Sequence, residues 1–351
     1  MSRPWIVSPA VDLAALALPA AATGAVLLAP EPEGLSLWNF LWLVVAFDVA
    51  HVWATLYLTY GDPSVVRRRP LLLWLPIPLA FFVAFRLHSH SPTLYWTLLA
   101  YVAIHHFASQ QYGFVALYRA LGGKAAPLDR TLDKLALWTG ALVPILVWHA
   151  SPQGFDWFGH GEAFVAVLPR ALIPDLYLVY AAVAAAYLAR QVWHVTQGSF
   201  NLPKNAWMLA SWLSWAVGLA WASHPLVALA AINLLHGIPF LGLAWVRASR
   251  RWAAEPEARG LVPWLVRHPL SFLAPLVVLA LLEELCWEGA VWGHYVSPWF
   301  ELDATATSLA VALLALPQTV HYVLDAWIWK MDGSNPDLAL VLAPARSTPN
   351  A

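Results

Sequence analysis

The chain has 351 residues, 60% hydrophobic and 11% charged, with a net charge of −1. Soluble domains are about 25% charged, so this composition excludes a water-soluble globular fold, and the near-zero charge leaves no basic footprint for nucleic acid. The one cysteine, Cys286, excludes an internal disulfide framework and a thiolate-based metal cluster.

Apolar runs long enough to cross a bilayer recur along the whole chain. They are expected near 8–28, 36–58, 70–87, 94–117, 134–150, 171–190, 206–222, 225–246, 270–292 and 305–329. Met1 to Trp5 lead straight into the first run without a clear cleavage site, so no cleavable signal is expected. Between the runs lie short loops rich in Pro, Gly and charge. Two loops are longer: Ser151–Arg170, and Arg247–His268, which reads as a basic, partly helical stretch on the surface. Some of the 22 Trp suit interfacial belts. The tail 333–351 reads as flexible, which leaves 1–332 as one transmembrane helical domain.

The expected fold is therefore an all-α, polytopic transmembrane helix bundle of ten spans with both termini cytoplasmic. The loop charges support that orientation. The inner loops collect Arg3, Arg67–Arg69, Arg119, Lys124, Arg130, Lys134, Arg190, Lys204, Arg247, Arg250, Arg251, Arg259, Arg267, Lys330 and Arg346. Only Arg86 and Arg170 fall outside, which is the positive-inside pattern. A single chain with short loops and frequent Ala, Leu and Trp suits a bacterial inner membrane.

Four spans carry histidine: His51, the pair His105/His106, His236 and His321. Intramembrane ionisable residues are costly and are functional-site candidates by default. In this topology all four spans run from outside to inside. His51 lies 9 residues before Tyr60, His106 13 before Arg119, His236 11 before Arg247 and His321 9 before Lys330. At 1.5 Å per residue these depths differ by only about 6 Å. One slab of imidazoles suggests one polar site, and imidazole is the commonest metal ligand. A single membrane histidine is equally well a helix-to-helix hydrogen bond; the shared depth is what favours a metal.

Each histidine has polar company at helical spacing. Asp48 and His51 are i,i+3; His106 and Gln110 are i,i+4; Asn233 and His236 are i,i+3. His321 and Asp325 are i,i+4, with Gln318 three residues before His321. A ligating imidazole usually donates its other N–H to an oxygen, so Asp48 and Asp325 are candidate orienting carboxylates or ligands, with Gln110, Asn233 and Gln318 in support. Adjacent His105 and His106 point about 100° apart, so His106, which shares a face with Gln110, is the better ligand. Glu283 and Glu284 lie mid-span, with Glu288 further on. Unpaired carboxylates there need a partner or must be neutral, and Glu283 joins Asp48 and Asp325 as a candidate catalytic carboxylate, for a proton route or a ligand. Asp12 in the first span reads the same way. His88, His90, His149, His160, His224, His268 and His294 read as solvated residues at span ends, and His194 is ambiguous. Trp53, Tyr112, Phe240 and Trp327 would shape a pocket.

Imidazole with some carboxylate suits Fe, Zn, Cu or Ni, and with open positions it is the pattern of non-haem Fe(II) and O₂ chemistry. A site inside a membrane favours a lipophilic small molecule or lipid as substrate. The histidines stand singly in D-V-A-H-V-W, I-H-H-F-A-S-Q-Q-Y-G, N-L-L-H-G-I-P-F and H-Y-V-L-D-A-W-I-W-K. In this plan of dispersed histidines the chain resembles the bacterial β-carotene dioxygenases of the Brp/Blh type, which are also polytopic and hold iron by histidines from several helices. The resemblance is one of plan, not of aligned motifs. The chain is longer by a few spans and lacks the H-x-x-H-H boxes of membrane desaturases. The resemblance implies an iron oxygenase in a helical bundle and carries no substrate identity. The alternatives are a metal-ion or proton transporter, a haem b electron carrier with axial histidines, and a structural factor whose histidines only join helices.

Overall fold

The computed structural model describes residues 4–28, 36–123, 125–151, 164–222 and 224–330, with residues 333, 335 and 338. Every element among them is helical. The long helices are α1 (Pro9–Leu28), α2 (Leu37–Leu58), α3 (Pro70–His90), α4 (Pro92–Leu121), α5 (Pro127–Ala150), α6 (Arg170–Thr196), α7 (Leu202–Trp215, continued by Ala216–Trp221), α8 (Pro225–Ala253), α9 (Pro269–Trp292) and α10 (Ala304–Ile328). All but α4 and α7 are long and apolar enough to cross a membrane, eight in total. That is the architecture of an integral membrane protein. The other two carry more polar side chains, His105, His106, Gln110 and Gln111 in α4 and Lys204, Asn205, Ser211 and Ser214 in α7.

Helix boundaries follow local chemistry. Proline, which lacks the N–H that a first turn cannot use, stands in the first turn of α3, α5, α7, α8 and α9. Asn201 caps α7 by accepting from the Lys204 N–H at 3.1 Å, and Asp303 caps α10 by accepting from the Ala306 N–H at 2.8 Å. Gly293 ends α9 at φ +64°, where a side chain would be strained. Several helices outrun the expected spans: α4 starts earlier and ends later, α5 starts seven residues earlier, α6 runs on to Thr196, and α8 to Ala253. The cause is polar ends that hydropathy cannot see but ion pairs satisfy. Of the expected surface stretch 247–268, only the short helix Leu261–Leu265 is separate from α8.

The chain divides into two compact units, residues 1–30 with 100–236 and residues 31–99 with 237–341, and α4 and α8 are continuous across the division. In the first unit α5 packs on α6 and α7, and α1 on α7 and the start of α8. Exposed Leu178 and Val192 on α6 suit lipid contact. An ion network built on two buried carboxylates joins helices of this unit. Asp133 receives Arg119 at 3.0 Å and Lys204 at 2.8 Å, and Asp129 receives Arg190 at 2.6 Å and His194 at 3.0 Å. In the second unit α9 and α10 pack on α2, and α10 on α3. His88, expected to be solvated, is buried here, with Nδ1 2.9 Å from the Ser308 hydroxyl. Residues Arg3, Lys124, His160 and Arg346, and most of the tail, lie outside the described residues. Within the tail, Asn335 donates to the Trp327 carbonyl oxygen at 2.7 Å.

Candidate metal centre

In the second unit α2 presents His51 and α10 presents His321, ring centroids 4.9 Å apart and planes at 79°. In the first unit α4 presents His106 and α8 presents His236, centroids 4.8 Å apart and planes at 76°. All four are buried, none more than 6% exposed. Each offers one ligand nitrogen, and these atoms all lie within 4.8 Å of one another. Metal–nitrogen bonds of about 2.0–2.1 Å set ligand atoms about 3.3–4.2 Å apart, and this group could hold a metal ion. Four imidazoles without a thiolate are a borderline donor set that fits a transition ion.

Backbone features steer these side chains. Residues Phe40–Val49 and Leu229–Asn233 form wide π-helical turns, which end just before His51 and His236. Such turns shift the face on which the following residues emerge, and they gather at functional sites. At Gly237 an added Cβ would collide with the Phe47 carbonyl oxygen and lie 3.6 Å from His51 Nδ1. Only glycine permits this closeness of α8 to α2, directly after His236.

Hydrogen bonds within the second unit orient two of the imidazoles. His51 Nδ1 lies 3.3 Å from the Phe47 carbonyl oxygen, which can only accept. That bond places the proton on Nδ1 and leaves Nε2 as the ligand atom. His321 Nδ1 lies 2.6 Å from the Thr55 hydroxyl. Phe240, one turn beyond His236, sets its ring edge-on to both His51 and His321 at 5.4 Å. The sequence pattern misses Thr55 and the Phe47 carbonyl, because neither partner is visible from same-helix side-chain spacing.

The other expected residues fall as follows. His105 is exposed with its ring against Trp138, outside the group of four. Asp325 is buried and accepts from Trp329 Nε1 at 2.5 Å. Glu283 accepts from Trp53 Nε1 at 2.7 Å. Asp48, Glu283 and Glu288 lie within electrostatic reach of Glu284, and Asp48 also of Tyr322. Gln318 donates to the Tyr322 hydroxyl at 2.7 Å. Gln110 and Asn233 are buried. Tyr112 and Trp327 receive Arg119 and Arg69 over their rings, each 5.9 Å from the centroid. His149, expected to be solvated, bonds the Ile145 carbonyl oxygen and the Tyr101 hydroxyl, each at 2.7 Å.

A cavity of about 420 Å³ opens in the second unit, lined by Val52, Thr55, Ile77, Val320, His321 and Leu324 among others. Its wall is mostly apolar, and Thr55 and His321 are among its polar members. The size is that of a small-molecule site.

No protein-family model, no curated protein and no solved structure matches the chain.

Proposed function

We propose that this is a membrane metalloenzyme that holds one transition-metal ion on His51, His106, His236 and His321 and oxidises a lipophilic molecule. The observation that carries the reading is the group of four buried imidazoles with ligand atoms within 4.8 Å. Iron(II) suits the donors best where O₂ chemistry is wanted, and zinc or copper would also accept them. The ion would supply the redox chemistry. The protein's part is to hold Nε2 of His51 towards the ion through the Phe47 carbonyl, to hold His321 through Thr55, and to exclude water with Phe240 and with Phe107, whose ring centroid lies 4.3 Å from that of His236. The apolar cavity that reaches His321 supports a lipophilic substrate arriving from the lipid. Asp48, Asp325 and Glu283 are the carboxylates for proton handling. A haem b is disfavoured on geometry. With four imidazole atoms mutually within 4.8 Å, two of them would occupy the plane that a porphyrin needs.

The same reading takes α4 and α7 as spans too, giving ten, with both termini cytoplasmic in a bacterial inner membrane; the loop distribution of Lys and Arg supports it. A second reading, transport of a metal ion or protons, is favoured by the carboxylates gathered around Glu284. Elemental analysis and an absorption spectrum of protein purified in mild detergent test the first reading. Near-stoichiometric metal without a Soret band supports it. No metal after anaerobic loading with Fe(II) overturns it, and ion flux in proteoliposomes would then support transport.

A further inference from the structure

The described polar side chains of the first unit are mostly satisfied, which makes one group of exceptions informative. Gln110 and Gln111 on α4 and Ser211 and Ser214 on α7 are all buried, at 7%, 0%, 0% and 6% exposure. Both amide atoms of Gln110, the Gln111 Nε2 and both serine hydroxyls have no hydrogen-bond partner among the described residues. Such groups inside a bilayer each cost several kcal/mol if left alone, and buried polar atoms in native proteins almost always have a partner.

Gln111 and Ser211 face one seam between α4 and α7, and Gln110 and Ser214 flank it, each about 100° round its helix from a seam residue. Trp207 Nε1 donates to the Gln111 backbone oxygen at 2.9 Å, and Trp215 Nε1 donates to the Gln111 side-chain oxygen at 2.7 Å. Ser211 lies four residues from each tryptophan and so on the same face of α7. Ser214 is one turn beyond Ser211. Gln110 is one turn from His106 on α4.

The serines also forgo the usual local solution. A helical hydroxyl normally bonds the carbonyl four residues back. Thr23, Thr139, Ser308 and Thr319 all do so in this chain, each at 2.8 Å. Ser211 and Ser214 do not. Their hydroxyls and the two amides thus present donors and acceptors to a ligand that can both give and take hydrogen bonds. Water does this, typically with about three bonds per buried molecule.

We propose that Gln110, Gln111, Ser211 and Ser214 line a seam that holds a short file of water molecules, reaching to within one helical turn of His106. The seam is a route for water or protons through the first unit, and it stands whether or not the histidines hold a metal.

Radiolytic hydroxyl-radical labelling of the full chain in detergent tests this, because radicals form where water sits and oxidise the nearest side chains. Trp207, Met208 and Trp215 are at most 1% exposed, yet each should label several-fold faster than Trp148. That control is also buried, at 2%, and its Nε1 bonds the Leu219 carbonyl oxygen. In Gln110→Leu with Ser211→Val the excess should fall to the control rate. Wild-type labelling of the three residues no faster than Trp148 would overturn the proposal, whatever the variant does. The readout is independent of metal content, so failure here and failure of the metal reading are separate results.

Discussion

The hydroxyl of Thr55 on α2 lies 2.6 Å from Nδ1 of His321 on α10, across 266 positions of sequence. For Nε2 of His321 to bind a metal, Nδ1 must carry the proton and donate it to Thr55. The bond holds the ring orientation, and in the metal-bound tautomer the hydroxyl is the acceptor. Thr55→Val keeps the shape and removes the acceptor, and it should weaken metal affinity about 10–100-fold. Thr55→Ser should retain it. Metal retained after dialysis against graded chelator, with thermal unfolding as a control on folding, measures the difference.

Gly237 sits where a Cβ would strike the Phe47 carbonyl oxygen, the same oxygen that engages His51. Gly237→Ala should force α8 from α2, cost about 1–3 kcal/mol by overpacking, and loosen metal binding as the His51 ring loses its fixed acceptor. Gly242, whose added Cβ meets nothing within 4 Å, is the matched control. Thermal unfolding of both alanine variants in one detergent compares them.

Asp62 caps the short helix Pro63–Arg68 by accepting from the Ser64 N–H at 2.8 Å, and it pairs with Arg251 at 3.0 Å. Burial alone would raise its pKa, but the Ser64 bonds and the Arg251 charge outweigh burial and hold it below its ordinary 3.8. A depressed carboxylate contributes stability above its unfolded pKa and loses it as pH falls through the folded value. Asp62→Ala should therefore cost about 1–2 kcal/mol near neutral pH, the usual loss of a helix cap. The gap from wild type should close below pH 3.8. Unfolding midpoints measured across that range check both the size and the sign.

The cavity that Thr55 and His321 help to line should hold the lipophilic molecule. Ile77 lines it from α3, which carries no candidate ligand. Ile77→Trp should fill the space and cut the yield of co-purifying apolar molecules several-fold, with metal content unchanged. Solvent extraction and mass spectrometry of matched preparations measure this. Equal yields would remove the cavity from the account.

Much of this site is legible in the sequence because depth in a bilayer is a one-dimensional quantity. Counting residues from each inner loop put His51, His106, His236 and His321 in one slab, and the structure groups those same four. Convergence of their faces was not legible. The π-helical turns before His51 and His236 and the close approach of Gly237 to Phe47 were not legible either. None of these leaves a periodic signal. Same-helix spacing pointed to Asp325 beside His321; it could not point to Thr55, whose hydroxyl reaches His321 from another helix. Helix ends were underestimated for a related reason: Asp129, Asp133, Arg190 and Lys204 look like loop charges one by one, yet they pair within helices, and all but Arg190 are buried.

Metal stoichiometry of single-histidine variants tests the central claim most directly. His51→Ala, His106→Ala, His236→Ala and His321→Ala should each lose the bound metal while remaining folded in detergent. His105→Ala, whose ring rests on Trp138, should keep the wild-type amount. Full metal occupancy in either His106→Ala or His236→Ala would contradict a single site built from all four imidazoles.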